Sequence, residues 1–456
     1  MRGGRSFLLL MIVALGLGAY IYFVEMERDP AAADATAKEK VFAIEPGGIE
    51  ELEVRAESGE VTTLKKTGET WQITAPETLE VDPTEVSGVV STIESLERQR
   101  VVADNPSAVA QYGLDPPRVV VAFKTAGDAA GRRLQVGGRT PTGGDLYARV
   151  EGEPAVFLIS SYLEDSLDKT TFNLRDKSIL KFDSASADTL TLEAPGARPM
   201  TFVKKDAAWR ITAPIAATAD FSAIDGLVSR VAQGRMKSIE ATAPSAAELK
   251  TFGLAAPQAT ITIGTGSSRA ALALGGKKDD DETSVYARDL SRPLVFTVDA
   301  ALVDDAKKAP ADLRAKDLFQ FRSFSATGVD LTWNGQTVIF SKEKPAGQDQ
   351  SSAVDVWKLT APEAKDVDQT KITDMLTTLS NVRAESFADR PLASGDTLGV
   401  LVRFTEGGAT REDRATLRKS GDEVHATVPG EPGAAVVLTA DFDKIVLLLE
   451  ELAGLK

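Results

Sequence analysis

WQITAP (71–76), WRITAP (209–214) and WKLTAP (357–362) are one phrase written three times in a chain of 456 residues. Eleven residues after each tryptophan stands an aspartate: Asp82, Asp220 and Asp368. Four residues later an apolar stripe begins. It reads Val86, Val89, Val90 and Ile93 in the first copy, Ile224, Leu227, Val228 and Val231 in the second, and Ile372, Met375, Leu376 and Leu379 in the third. The i, i+3, i+4, i+7 spacing predicts an amphipathic helix with one buried face. Each aspartate falls at the N-cap, where its carboxylate accepts first-turn N–H groups, and Pro83 suits the first helical position. Glu85 is placed to complete a capping box in the first copy. We therefore read Asp82, Asp220 and Asp368 as caps. Trp71, Trp209 and Trp357, each in an apolar strand before a T-A-P turn, are read as core anchors rather than a sugar platform.

Working outward, an alternating strand precedes each tryptophan: Leu52 and Val54, Leu190 and Leu192, then Val329, Leu331 and Trp333. LKKTGETW and FVKKDAAW predict two strands joined by a tight turn, which KPAGQDQSS enlarges in the third copy. Downstream, the first two copies run in step. QYGLDPP (111–117) matches TFGLAAP (251–257), LQVGG (134–138) matches LALGG (272–276), LYAR (146–149) matches VYAR (285–288), and NLRDKSIL (173–180) matches DLRAKDLF (312–319). The offset stays near 138–140 residues, so the unit is a domain, not a short solenoid repeat. The third copy keeps its strands but lacks the GL-x-x-P and GG turns, and it ends in a helix, FDKIVLLLEEL. Short antiparallel strands with one principal helix make an α+β unit. The expected domains are repeat 1 at 41–180, repeat 2 at 181–320 and a degenerate repeat 3 at 321–456.

Ahead of the repeats, Phe7 to Val24 is an uncharged run of eighteen residues, long enough as a helix to cross the ~30 Å hydrocarbon core. Arg2 and Arg5 precede it, and Glu25, Glu27 and Asp29 follow. The positive flank predicts a cytoplasmic N-terminus at 1–6, a single-pass anchor at 7–24 in the inner membrane, and an exported remainder. A cleaved signal peptide is the rival reading, but the bulky IYFVEMER offers no small-residue cleavage site. Residues 25–40, Ala-rich and charged, read as a linker.

The inventory is poor in catalytic groups. There is no Cys and one His, which excludes disulfides, thiolate metal sites and any two-imidazole motif. A net charge of −15 argues against nucleic acid. His425 stands where the other copies have Tyr147 and Tyr286, in a strand, and is read as structural. The pairs Tyr147 with Arg149 and Tyr286 with Arg288 share a strand face, so they are the candidate ligand contacts, suited to a sugar ring or a carboxylate. The alternative is a Tyr packed on its sheet with Arg laid beside it. Arg175 with Asp176 and Arg314 with Asp317 recur in place and suggest ion pairs between successive domains. Asp279 to Glu282 reads as a solvated turn lacking Ca²⁺-loop spacing. No catalytic residue, metal ligand or cofactor site is assigned.

The ordered set W-x-[IL]-T-A-P, capped helix, [YF]-G-L-x-x-P, L-x-[VL]-G-G and [LV]-Y-A-R resembles the domain of unknown function 4340 family. The resemblance spans nearly all of the exported part, twice clearly and once weakly. It implies a membrane-anchored bacterial protein, often encoded beside gliding-motility-type ABC transporter components, and carries over no catalytic residue. The expected function is a non-catalytic exported scaffold of a membrane complex, with protein partners. A cell-envelope glycan- or peptide-binding module is the alternative, and an envelope hydrolase the third reading.

Overall fold

The computed structural model describes residues 39–128, 130–343 and 355–455. The anchor read at Phe7–Val24 and most of the linker lie outside them. Among the described residues, no helix is long and apolar enough to cross a membrane.

Three sheets of nine strands account for the repeats, all with the same strand order. In the first, the strands are β1 (Ile49–Arg55), β2 (Val61–Thr67), β3 (Thr70–Ala75), β4 (Leu79–Glu80), β5 (Arg100–Ala103), β6 (Val119–Thr125), β7 (Arg132–Arg139), β8 (Asp145–Val150) and β9 (Val156–Ser160). Their order across the sheet is β4-β3-β2-β1-β6-β7-β8-β9-β5, every pair antiparallel. The chain thus runs to one edge, crosses the sheet through helix α1 (Pro83–Glu94), and resumes at the opposite edge. α1 buries Val86, Val89, Val90 and Ile93. They join a core to which β1 adds Ile49, Leu52 and Val54, with Leu52 opposite Leu64 on one side and Phe123 on the other. The other face of this sheet carries a charge ladder: Lys65 and Lys124 both pair with Glu51, and Arg133 pairs with Glu53 and Glu151. A sheet with one apolar and one polar face is the plan that period-2 alternation encodes.

The second and third sheets are crossed in the same way by α2 (Phe221–Gln233) and α3 (Gln369–Ser380), and each buries the predicted stripe. The fold is therefore α+β and threefold repeated. The third sheet is complete despite its missing turn motifs. Its closing element α4 (Thr439–Ala453) is a continuous helix, where the other repeats have two short helical pieces (Glu164–Leu167 and Thr171–Leu174; Ala301–Ala306 and Pro310–Leu313). α4 buries Phe442, Ile445, Leu448, Leu449 and Leu452, ends on Gly454 in the left-handed region, and pairs with α3 through Lys371–Glu451 and Lys444–Asp374. It caps the last repeat.

The chain divides into two compact units with the boundary between Lys177 and Ser178. The first holds the first sheet; the second holds the other two. Within each repeat, the entering segment pairs beside the end of the main helix: Lys40 with Glu97, Ser178 with Arg235, Asp317 with Arg383.

Candidate functional site

The motif residues shared by the first two repeats converge on one spot in each sheet. In the first unit the Tyr112 ring packs on Tyr147 at 5.0 Å between centroids, and in the second Phe252 packs on Tyr286 at 4.6 Å. These contacts seat the GL turn against the GG pair. A Cβ on Gly137 would lie 2.2 Å from the Tyr112 carbonyl oxygen, and one on Gly275 would lie 2.3 Å from that of Phe252. The turn glycines Gly113 and Gly253 sit at φ +68° and +70°, their missing Cβ atoms facing the amides of Gly138 and Gly276. The Gly276 N–H donates to the Phe252 carbonyl at 2.8 Å. Arg149 donates twice to the Gln135 side chain, at 2.6 and 3.1 Å, and Arg288 Nε donates to the Arg292 carbonyl at 3.2 Å. Burial, followed by the charges of Glu240 and Asp279, pushes the Tyr286 phenol up. Tyr147, Arg149, Tyr286 and Arg288 are thus engaged within their own repeats.

In the third repeat Arg418 stands opposite His425 and donates to the Leu392 carbonyl at 2.7 Å. A long side chain fills the place where the other repeats bring two backbones together. His425 is buried, 9% exposed, in its strand.

Asp82, Asp220 and Asp368 each accept a first-turn N–H, from Thr84, Ala223 and Thr370. The capping box expected of Glu85 does not form. The Asp82 N–H that it would reach donates to the Leu174 carbonyl at 2.8 Å, and Glu85 pairs instead with Lys169 at 2.7 Å and Lys177 at 3.7 Å. These lysines, Lys169 first, hold its carboxyl below the usual range. Asp220 repeats the arrangement with Leu313. Trp209 and Trp357 are buried, but Trp71 is only half-buried. Trp209 Nε1 donates to Asp225 at 3.4 Å, with Lys204 Nζ 5.5 Å from the ring centre.

A polar arrangement that joins two repeats lies in the second unit, between the second and third repeats. Here the hairpin tip of the third repeat, Gly430-Glu431-Pro432, meets the edge strand Ala217–Thr218 of the second. Glu431 accepts from the Thr218 N–H at 3.0 and 3.1 Å and from its hydroxyl at 2.6 Å. Arg314 approaches the same carboxylate at 3.5 Å and donates to the Pro432 carbonyl at 3.0 Å. Its guanidinium, from a residue 6% exposed, lies 3.9 Å over the Phe387 ring. Burial pulls Arg314 below its ordinary value while Glu431 opposes that shift. Arg210 adds a 3.7 Å contact, and Asp317 pairs with Arg383 at 2.9 Å. A cavity of about 370 Å³ opens beside this joint, lined among others by Arg210, Arg314, Phe387, Arg414 and Glu431. The arrangement satisfies the open N–H of a sheet edge with a carboxylate and neutralises that carboxylate with arginine. Arg314 and Asp317, expected to make ion pairs between successive domains, do so here with Glu431 and Arg383; the hairpin tip that receives Arg314 has no such signal beyond the recurrence of G-E-P or R-P at 152–154, 292–293 and 430–432.

The acidic run forms a turn in which Asp281 accepts from Thr283 and Ser284, whose hydrogen bonds hold its carboxyl down to about 2. Among the described residues there is no group of three or more His, Asp or Glu able to hold a metal ion.

A family model described as Domain of unknown function (DUF4340) matches residues 71–208 and 209–398, more than half of the chain. The matches start on Trp71 and Trp209, so each runs from the third strand of one sheet into the next repeat. No curated protein and no solved structure matches the chain.

Proposed function

The chain belongs to the DUF4340 family, whose description assigns no activity, and from that premise we propose that it is a non-catalytic, membrane-anchored scaffold of an ABC-transporter-type membrane complex. In this reading Phe7–Val24 is a single-pass anchor in the inner membrane, the N-terminus is cytoplasmic, and the three repeats are displayed on the far side. The observation that carries the reading is how the repeated residues are spent. The tryptophans, capping aspartates, paired glycines and Tyr-Ala-Arg strands all make contacts inside their own repeats, and among the described residues these motif residues form no convergent set for chemistry. Tandem domains on one tether multiply the surface open to partners, which suits holding them.

Co-purification of the full-length chain from detergent tests this. Stoichiometric recovery of transporter subunits is expected, and recovery of the chain alone under conditions that keep other envelope complexes intact would refute it.

A further inference from the structure

The third repeat shows how a hairpin tip of this fold docks, and the first repeat carries the same tip without the same partner. Gly430-Glu431-Pro432 and Gly152-Glu153-Pro154 occupy equivalent places between the last two long strands of their sheets. Both are one turn. Glu431 N–H donates to the Val428 carbonyl at 3.1 Å, Glu153 N–H donates to that of Val150 at 3.0 Å, and Gly430 and Gly152 have φ +82° and +87°. The seated tip gives its carboxylate two donors of an edge residue and an arginine, and the Glu431 side chain is 19% exposed. The Glu153 side chain is 50% exposed, and its charge partner is Arg98 at 3.7 Å.

We propose that Gly152-Glu153-Pro154 is a docking tip for another protein, one that presents an antiparallel sheet edge with an open N–H and an arginine beside it. Three observations narrow the partner. Arg98 also contacts Glu39 at 3.8 Å, so the tip lies at the end of the first unit where the linker enters. With the anchor in place, a linker of sixteen residues keeps that end within roughly 55 Å of the membrane, and to that extent the inference rests on the scaffold reading. The partner is therefore a membrane-proximal subunit. A second copy of this chain is unsuited. Its Thr218 edge is filled by its own Glu431, and the places equivalent to Thr218 in the other sheets hold Glu80 and Asp366, whose side chains lack the hydroxyl donor that Thr218 gives the carboxylate. Adding to a sheet edge through main-chain donors, with a charge pair setting register, is an established recognition mode.

The experiment places a photo-crosslinking residue at Ala155 of the full-length chain in cells and reads the product by mass spectrometry. One adduct is expected, to a sheet edge of a membrane-complex subunit. Glu153→Arg should lower its yield about tenfold or more, Glu153→Asp should keep it, and reversing the partner's arginine should restore it in Glu153→Arg. An adduct to a second copy, an adduct indifferent to Glu153→Arg, or none while the complex still co-purifies would overturn the tip and leave the scaffold standing. Loss of the complex from the unaltered chain would instead overturn the scaffold reading.

Discussion

Gly275→Ala and Gly276→Ala are neighbouring substitutions of the same chemistry with opposite expected outcomes. At Gly275 the added methyl would lie 2.3 Å from the Phe252 carbonyl oxygen and 3.0 Å from Leu254 Cγ. A carbon–oxygen contact needs about 1 Å more, and one side of the clash is backbone, so the GL turn has to lift. Overpacking of this kind costs about 1–3 kcal/mol, and lifting the turn gives up the 2.8 Å bond from Gly276 N–H, worth about 1 kcal/mol more. The sum, about 2–4 kcal/mol, corresponds to roughly 30- to 700-fold faster opening of the segment. At Gly276 the nearest atom to the new methyl is 3.6 Å away, an ordinary contact, so Gly276→Ala should be neutral, or stabilising by up to about 1 kcal/mol through the unfolded chain. Hydrogen–deuterium exchange resolved by peptide is the assay, because three repeats need not unfold as one transition. Faster exchange at 249–255 in Gly275→Ala alone is expected. Equal behaviour of the two variants would refute the claim that Gly275 is required for close backbone approach.

Further outcomes follow from the same contacts. Trp209→Ala should cost about 3–5 kcal/mol, read as accelerated exchange across the second sheet, whereas Trp71→Ala should cost clearly less because Trp71 is half-buried. Asp220→Ala should remove about 1 kcal/mol through the lost bond to the Ala223 N–H, seen in exchange of the first turn of α2. Asp281 has its folded pKa depressed to about 2, so its contribution is present above the unfolded value near 4 and fades as pH falls toward 2. The 281–284 turn should therefore keep its protection at pH 4, and Asp281→Asn should lose it at neutral pH. Glu431→Gln keeps the shape of the joint but weakens the hold of Arg314 and Arg210. Exchange at Thr218 should rise severalfold, and Glu431→Lys should raise it further.

What was legible in the sequence is what local periodicity encodes. The stripes of α1, α2 and α3 lie three and four residues apart, and the caps sit directly ahead of them, so helix position, buried face and start all follow from neighbours in the chain. The threefold repeat was visible for the same reason. The edges were not: β4 is two residues long and β5 four, too short for alternation to announce them, so the nine-strand order is seen only in the structure. Glu85 misled because its capping target is consumed by Leu174, a residue 92 positions from Asp82. What covers Tyr147 and Tyr286 was not legible because the covering rings, Tyr112 and Phe252, come from turns more than thirty residues away. The joint at Glu431 combines both difficulties. Its tip motif recurs in plain sight, but its receptor Thr218 lies 213 residues upstream.

The motif residues serve the fold rather than a ligand. The most direct measurement is hydrogen–deuterium exchange of the full-length chain with and without soluble cell-wall glycan and peptide fragments, read at 110–114, 145–150, 250–254 and 284–289. Unchanged exchange in all four segments is predicted, since the rings and guanidiniums there are already engaged. Saturable protection at Tyr147–Arg149 or Tyr286–Arg288 would contradict the account and make those strands a binding site.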